Sequence, residues 1–495
     1  MLSASESPFM QSINENQPGL DSTCLSNLHD DTLSSSSSPG SFRQHAFPLP
    51  PPLNLLVAAP VTGHLSNQYR ADNPPVPKFN AALPAHSSRH ESCLSISQIE
   101  SASSHGVSIP AQLNEALGKE LTENTSQTNS SFLEKLLPCE RLPFPVNEEL
   151  LRKLSTAIGA NAPIWNGPRG CFHRPPMIDF GEAALCKWLN HIGMTMGLVY
   201  GRQCERLWWS GRCRAPLVAS SVQQKPDLVL LDRSYYDKLS QNDFADTGWA
   251  FVKAVAEVHL PNAQLTDTTS RSYLTFLCQP HRRFTISLSF FNAKKIRFSV
   301  TVTDRVGQIC LTEMDLMEPL VENGLLLLSI LAFLMFGSPE DVGLDPHFEI
   351  DPLNGHIVAV ECENRRFKVL KRIHALLTLF GRGTQVWIVA HNGVRYIMKD
   401  SWVREDHNNN EVAHLRKMTS HEELKGRVPT LICGGDVVVN GLKDSTQRYR
   451  IACCTHRIHR RIVTSPIGES VLSFKTKKEF IRVLISIIES KLTYL

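Results

Sequence analysis

The stretch from Gln385 to Asp400 constrains this chain more than any other. Two strand-like runs, Gln385 to Ala390 and Val394 to Asp400, flank His391-Asn392-Gly393. Asn-Gly accepts the positive φ of a type I′ turn, whose twist matches a tight β-hairpin. Period-two alternation then puts Arg395, Ile397 and Lys399 on one face and Asp400 on the other. Gly381 and Gly383 precede the hairpin. Glycine lets backbone approach an anion closely, and a nearby lysine can hold phosphate. After the hairpin, Asn408 to Asn410 offers helix caps, and Glu411, Val412, Leu415 and Met418 follow at helical spacing. Glu411 falls at the start of that helix, where it can pair with Lys399. The plain alternative is a glycine turn, a solvated lysine and an acid favoured by the helix dipole. Glycines, hairpin and helix together favour a phosphate-holding site.

Composition sets wide limits. The 495 residues suffice for two or three domains, and 42% are hydrophobic, enough for a substantial core. A net charge of +3 is too mild to imply nucleic acid, so that class of partner is not expected. The 13 cysteines lack the spacing of a disulfide framework and read as reduced thiols. MLSASESPFM lacks the features of a signal peptide, and the longest apolar run, Leu325 to Phe336, is too short to span a bilayer. These features predict an intracellular protein, cytoplasmic or nuclear, with no membrane partner.

The fold class expected is α+β in three parts. Residues 1–130 read as a low-complexity, disordered tail. Ser34 to Ser38 is a serine run, Pro48 to Pro52 reads PLPPP, and Asn, Gln and Ser fill Glu123 to Ser131. Residues 132–345 read as an α/β domain. Helices are predicted over Asn147–Ile158, Asp179–Gly197, Asp267–Cys278 and Met317–Phe336. Strands are predicted over Asp227–Leu231, Trp249–Leu260, Phe284–Phe291, Lys295–Thr303 and Gln308–Met314. Asp179-Phe180-Gly181 reads as a helix cap. Asp341 to Arg366 reads as loop. Residues 366–495 form the last part. Beyond the hairpin and helix it holds strands at Arg427–Cys433, ended by Gly434-Gly435, and at Arg461–Thr464. A turn at Ser465 to Gly468 follows, then a capping box at Thr476 to Glu479 opening an amphipathic helix.

These residues resemble the fungal-type protein kinase family from about Leu150 onward. The landmarks are Lys225-Pro226-Asp227, Trp249 with Glu257, Arg282-Arg283-Phe284, Asp304 to Gly307, Gly343 to Pro346, Gly381 to Thr384, Lys399 to Trp402 with Glu411, and Arg457 to Val463. The resemblance implies a protein-kinase-like small lobe in which Gly381, Gly383, Lys399 and Glu411 hold ATP. Lys399 would meet the phosphates and Ile397 would lie under adenine. The family continues into a His-Arg-Asp catalytic loop, which is absent from this sequence, so the large lobe is expected to be largely missing. The expectation is a chain inactive as a kinase on its own, with no catalytic residue, ATP held weakly or not at all, and magnesium only with nucleotide. A protein partner covering residues 477–490 is the rival role, as an interaction scaffold.

A second constellation lies upstream. Pro226-Asp227 opens one strand and Glu257-Val258-His259 ends the next, amid helix, strands, helix and strand. This looks like a restriction-endonuclease-like core, in which two acids hold magnesium and a lysine activates water. His259 stands in the lysine place, so an inactive structural domain is the favoured reading and a magnesium-dependent nuclease the alternative. No metal site is expected from the cysteines and histidines. Arg457, His459, Arg460 and Arg461 read as a solvated strand edge.

Overall fold

The computed structural model describes residues 125–494, apart from 129, 157–162, 174–176, 211–225, 241–247, 260–265, 293–295, 377, 406–409, 425, 427, 451–454 and 469–472. The serine and proline runs of the tail lie outside the described residues. Mixed α and β structure fills the rest. The description begins earlier than expected, since Thr125–Thr128 forms β1, a parallel edge strand on Gln308–Leu311.

The first sheet has β2 (Arg206–Trp209), β3 (Leu228–Asp232), β4 (Ala254–His259), β5 (Thr285–Asn292), β6 (Ile296–Thr303) and β7 (Gln308–Leu311). Its order is β1-β7-β6-β5-β4-β3-β2, with Met314–Asp315 paired to β6. β4 and β5 run parallel and the other pairs between β2 and β7 run antiparallel. Besides the short helices Ser131–Leu136 and Arg233–Ser240, the helices here are α1 (Glu148–Leu154), α2 (Met177–Tyr200), α3 (Thr266–Cys278) and α4 (Val321–Phe336). Asn147 caps α1 by accepting from the Leu150 N–H at 3.2 Å. α2 starts at Met177 and kinks at Gly181 (φ 69°), so Asp179-Phe180-Gly181 lies in its first turns at the kink. Beyond its first turn α4 is almost wholly apolar, and Leu327, Leu328, Leu331 and Leu334 are fully buried in one core with α1, α2 and a sheet face. A helix with no polar stripe has to be wrapped on all sides. α3 covers the other face with Tyr273, Leu274 and Phe276.

The second sheet comprises β8 (Phe348–Ile350), β9 (Ile357–Cys362), β10 (Arg365–Ala375), β11 (Gln385–His391), β12 (Val394–Arg404), β13 (Thr430–Asp436) and β14 (Arg457–Ser465). Its order is β8-β9-β10-β11-β12-β14-β13. The predicted hairpin is β11–β12, with Asn392 and Gly393 at φ 49° and 77°. Two expectations fail here. Asp341 to Arg366 is not loop, because it holds β8 and β9. β13 also runs through its glycines to Asp436, bending at a register shift between Leu431 and Cys433. α5 (Glu411–Ser420) is capped by Asn410, which accepts from the Val412 and Ala413 N–H groups. α6 (Lys477–Tyr494) follows a capping contact from the Glu479 N–H to Thr476 Oγ1. Among the described residues no helix is long and apolar enough to cross a membrane.

Candidate functional site

The hairpin carries Lys399 to the first residue of α5. Lys399 Nζ donates to both Glu411 carboxylate oxygens, at 2.8 and 2.7 Å. Both side chains stay partly exposed, 26% and 37%, so the pair contributes about 0–1 kcal/mol to stability. Its effect is on position, because it holds an ammonium at one place on the sheet. Cross-strand partners share a face, and the register defines that face in three rows. They are Lys368–Ala390–Arg395, Lys371–Ile388–Ile397–Thr464, and His374–Val386–Lys399–Ile462. Val386, Ile388 and Ile397 are half-buried, while Lys368, Lys371 and Arg395 are exposed. α5 closes one end of the face, where Val412 and Leu415 pack on Ile462. A half-open aliphatic floor with cations around it suits a flat, anionic ligand. Lys368, Lys371, Val386 and Ile388 escaped the sequence reading. The signal for β11 was its alternation, but two register shifts in β10 hide the pattern there.

The glycine turn meets the same end of the hairpin from the other side. The Trp402 N–H donates to Arg382 O at 2.8 Å, three residues beyond Lys399. Gly381 and Gly383 sit at φ 102° and 48°, and both lean on Arg305. The Gly381 N–H donates to Arg305 O at 2.7 Å, and a Cβ on Gly383 would lie 2.7 Å from Arg305 Nε. Arg305 Nη1 in turn donates to the Thr378 and Leu379 carbonyls. The special backbone of this turn is therefore explained by its packing on the first sheet's Asp304 to Gly307 turn.

The opposite face of β12 and β14 is buried, and here the basic-cluster expectation is overturned. β14 is an inner strand between β12 and β13, so Arg457, His459, Arg460 and Arg461 are buried rather than solvated. His459 donates to Asp444 at 3.0 Å and to Asp400 at 2.9 Å and stacks on Trp402. Arg461 donates to Asp400 at 3.0 Å and to Asp345 at 2.5 Å. Arg283 donates to Asp444 at 3.0 Å. Burial pushes the His459 imidazole down, but Asp400 and Asp444 outweigh it and hold it up at about 9. Burial likewise raises Asp400 and Asp444, and the adjoining cations bring both carboxyls below their usual range. Nearby, Asp304 accepts from the Tyr449 hydroxyl and twice from Arg450, at 2.8–2.9 Å. Residues as far apart in sequence as Arg283 and Arg461 thus meet in buried charge clusters that fasten the two sheets together.

Asp227 and Glu257 lie at neighbouring ends of β3 and β4, but their oxygens have protein partners. Asp227 accepts the Val258 N–H at 2.7 Å, and Glu257 accepts from Arg271 Nε at 2.8 Å. His259 is buried, stacks on Phe291 and contacts Ser289 at 3.2 Å. No group of three or more His, Cys, Asp or Glu placed to hold a metal occurs among the described residues.

Residues 225–453 match the family model described as fungal protein kinase. The chain carries a domain of that family. The match begins beside Asp227 in the first sheet and takes in Lys399, Glu411 and the Arg283, Asp304, Asp345 and Asp444 members of the charge clusters. The fungal protein kinase domain therefore includes strands of both sheets, as the order of landmarks implied. No curated protein matches the chain.

Proposed function

We propose that the second sheet with α5 is the nucleotide-holding half of a protein-kinase-like small lobe. The observation that carries this reading is the Lys399–Glu411 pair on a half-open face floored by Val386, Ile388 and Ile397. In this reading Lys399 takes phosphate oxygens of ATP, Glu411 keeps the ammonium aimed, and the aliphatic rows lie against the base. Gly381 and Gly383 bound the phosphate end, held in place from behind by Arg305. Magnesium would arrive only with the nucleotide.

The 495 residues by themselves do not transfer phosphate. Transfer needs an acid to orient the acceptor hydroxyl and acids to hold the metal. No His-Arg-Asp occurs in the sequence. Of the acids near Lys399, Glu411 is paired to it, and Asp400 is buried on the opposite face between His459 and Arg461. Two assays test the proposal. ATP raises the melting temperature of the wild type and not of Ile397→Glu, and radiolabel transfer to generic substrates stays at background. A shift of equal size in Ile397→Glu would remove the base from this face. Transfer that copurifies with the chain and disappears in Lys399→Met would overturn the inactivity.

A second reading, an interaction scaffold, is favoured by α6. Ile481, Leu484, Ile485, Ile487 and Ile488 are 40–58% exposed along it, an apolar stripe of the kind that protein partners cover. Here Leu484→Asp abolishes capture of a specific protein by the chain, and unchanged capture would exclude α6 as the docking surface.

A further inference from the structure

The second sheet curls so that the β9–β10 hairpin lies along β14 and β13, distant in strand order: from β14 Arg461 Nη1 reaches Glu361 O of β9 at 3.0 Å, and from β10 Arg365 Nη1 reaches Ile432 O of β13 at 3.3 Å. Arg416 of α5 spans the same seam, 3.7 Å from Glu363 and donating to Gly434 O at 3.3 Å. These contacts bracket Cys362 on β9 and Cys433 on β13. Both thiols are buried in the core of the curled sheet, at 6% and 3% exposure, and the contacts at Glu361, Glu363 and Arg365 on one side and Ile432 and Gly434 on the other set the two cysteines side by side across the seam. Both are free cysteines. Cys433 also lines a cleft of about 380 Å³ with Glu363, Arg416, Thr419, Ser420 and Ile432.

We propose that Cys362 and Cys433 are a redox modification site, oxidised by hydrogen peroxide or a small hydroperoxide to a reversible disulfide that closes the β9–β13 seam. The chemistry requires one thiolate that a small oxidant can reach and a second thiol in contact with it. Cys433 is the attacking sulfur, because it faces the cleft. The neighbouring Cys362 holds its thiol below the ordinary value against burial, and Arg365 assists. Cys362 is held above the ordinary value by Cys433 and by burial, so it resolves. The Cys433 thiolate attacks the O–O bond. An S–O bond forms, hydroxide leaves, and it takes up the proton lost by Cys433 as water. The Cys362 sulfur then attacks the Cys433 sulfur. The S–S bond forms, the S–O bond breaks, and the departing hydroxide takes the Cys362 proton as a second water. The two thiols lose two electrons and two protons, and one peroxide becomes two waters. A dithiol reverses the change by exchange.

This inference does not depend on nucleotide binding. It is tested on the full chain by brief treatment with stoichiometric hydrogen peroxide, alkylation of remaining thiols, and non-reducing peptide mapping by mass spectrometry. The expected result is a linked Cys362–Cys433 peptide as the main product. It is lost on dithiothreitol treatment and absent in Cys362→Ser and Cys433→Ser, while exposed Cys139 remains alkylated or oxidises without forming that link. The result that overturns the proposal is a wild-type map in which both thiols stay alkylatable, oxidise separately, or link to other cysteines. Because the mapping is read on the wild type, it stands even where a serine variant folds poorly.

Discussion

At the scale of single residues, the two faces of β12 make opposite demands. Behind the buried face, His459 and Arg461 of β14 and Asp304 of the first sheet's turn are enclosed charges whose partners are also enclosed. Removing one member of such a pair leaves its partner buried and uncompensated, at a cost of about 3–5 kcal/mol. Asp304→Asn therefore lowers the unfolding free energy obtained from urea titration strongly, by about 3–5 kcal/mol. Lys399→Met and Glu411→Gln change it by less than about 1 kcal/mol, because their pair is partly solvated. His459 gives the pH signature. Its folded value, about 9, lies above the ordinary 6.5. A raised value means that its contribution is fully present below about pH 6.5 and is lost as pH rises through 9. The difference amounts to on the order of 3 kcal/mol. Thermal melts should therefore fall between pH 7 and 10. In His459→Gln the protein is less stable at pH 7, and that part of the alkaline fall is gone. Asp400 and Asp444 act in the other direction, with depressed carboxyl values, and their contribution is lost on acidification below about pH 4.

At the scale of elements, α5 is the piece on which the site depends. It is only 10 residues long, short for a helix with no other support. Asn410 satisfies two of its first N–H groups, and Val412 and Leu415 seat it on β14. Asn410→Ala should cost about 1 kcal/mol in chemical denaturation, and it should loosen Glu411 in the next position. The hairpin, the cap and Glu411 were all legible in the sequence, because Asn-Gly, Asn410 and the helical spacing are local signals. The mainly apolar α4 was legible for the same reason, although it starts four residues later than predicted. The second half of β14 was legible as a strand at Arg461–Thr464, but its start at Arg457 and its burial were not. Four cationic or imidazole side chains within five residues look like a wet edge unless their carboxylate partners are known. Those partners lie up to 116 residues away, as Asp345 does from Arg461. β8 and β9 were missed because glycine, proline and asparagine around them read as loop. Yet Ile357 to Val360 carried a strand signal that the turn residues obscured.

At the scale of the whole described structure, the motifs that identified the family separate into two roles. Arg283, Asp304, Arg305, Asp345 and Arg461 join the two sheets, and Lys399 with Glu411 is left on an open face. Family landmarks in a sequence thus need not mark a ligand site, since most of these hold the architecture that positions one. On the proposed reading, the open face holds a nucleotide through Lys399. Isothermal titration of the full chain with Mg-ATP tests it most directly, run beside Lys399→Met after both proteins are shown to melt alike. The account predicts saturable binding to the wild type and at least a tenfold loss, about 1.4 kcal/mol, in Lys399→Met. Equal affinity in the two proteins, or no binding to the wild type at millimolar ATP, would contradict it.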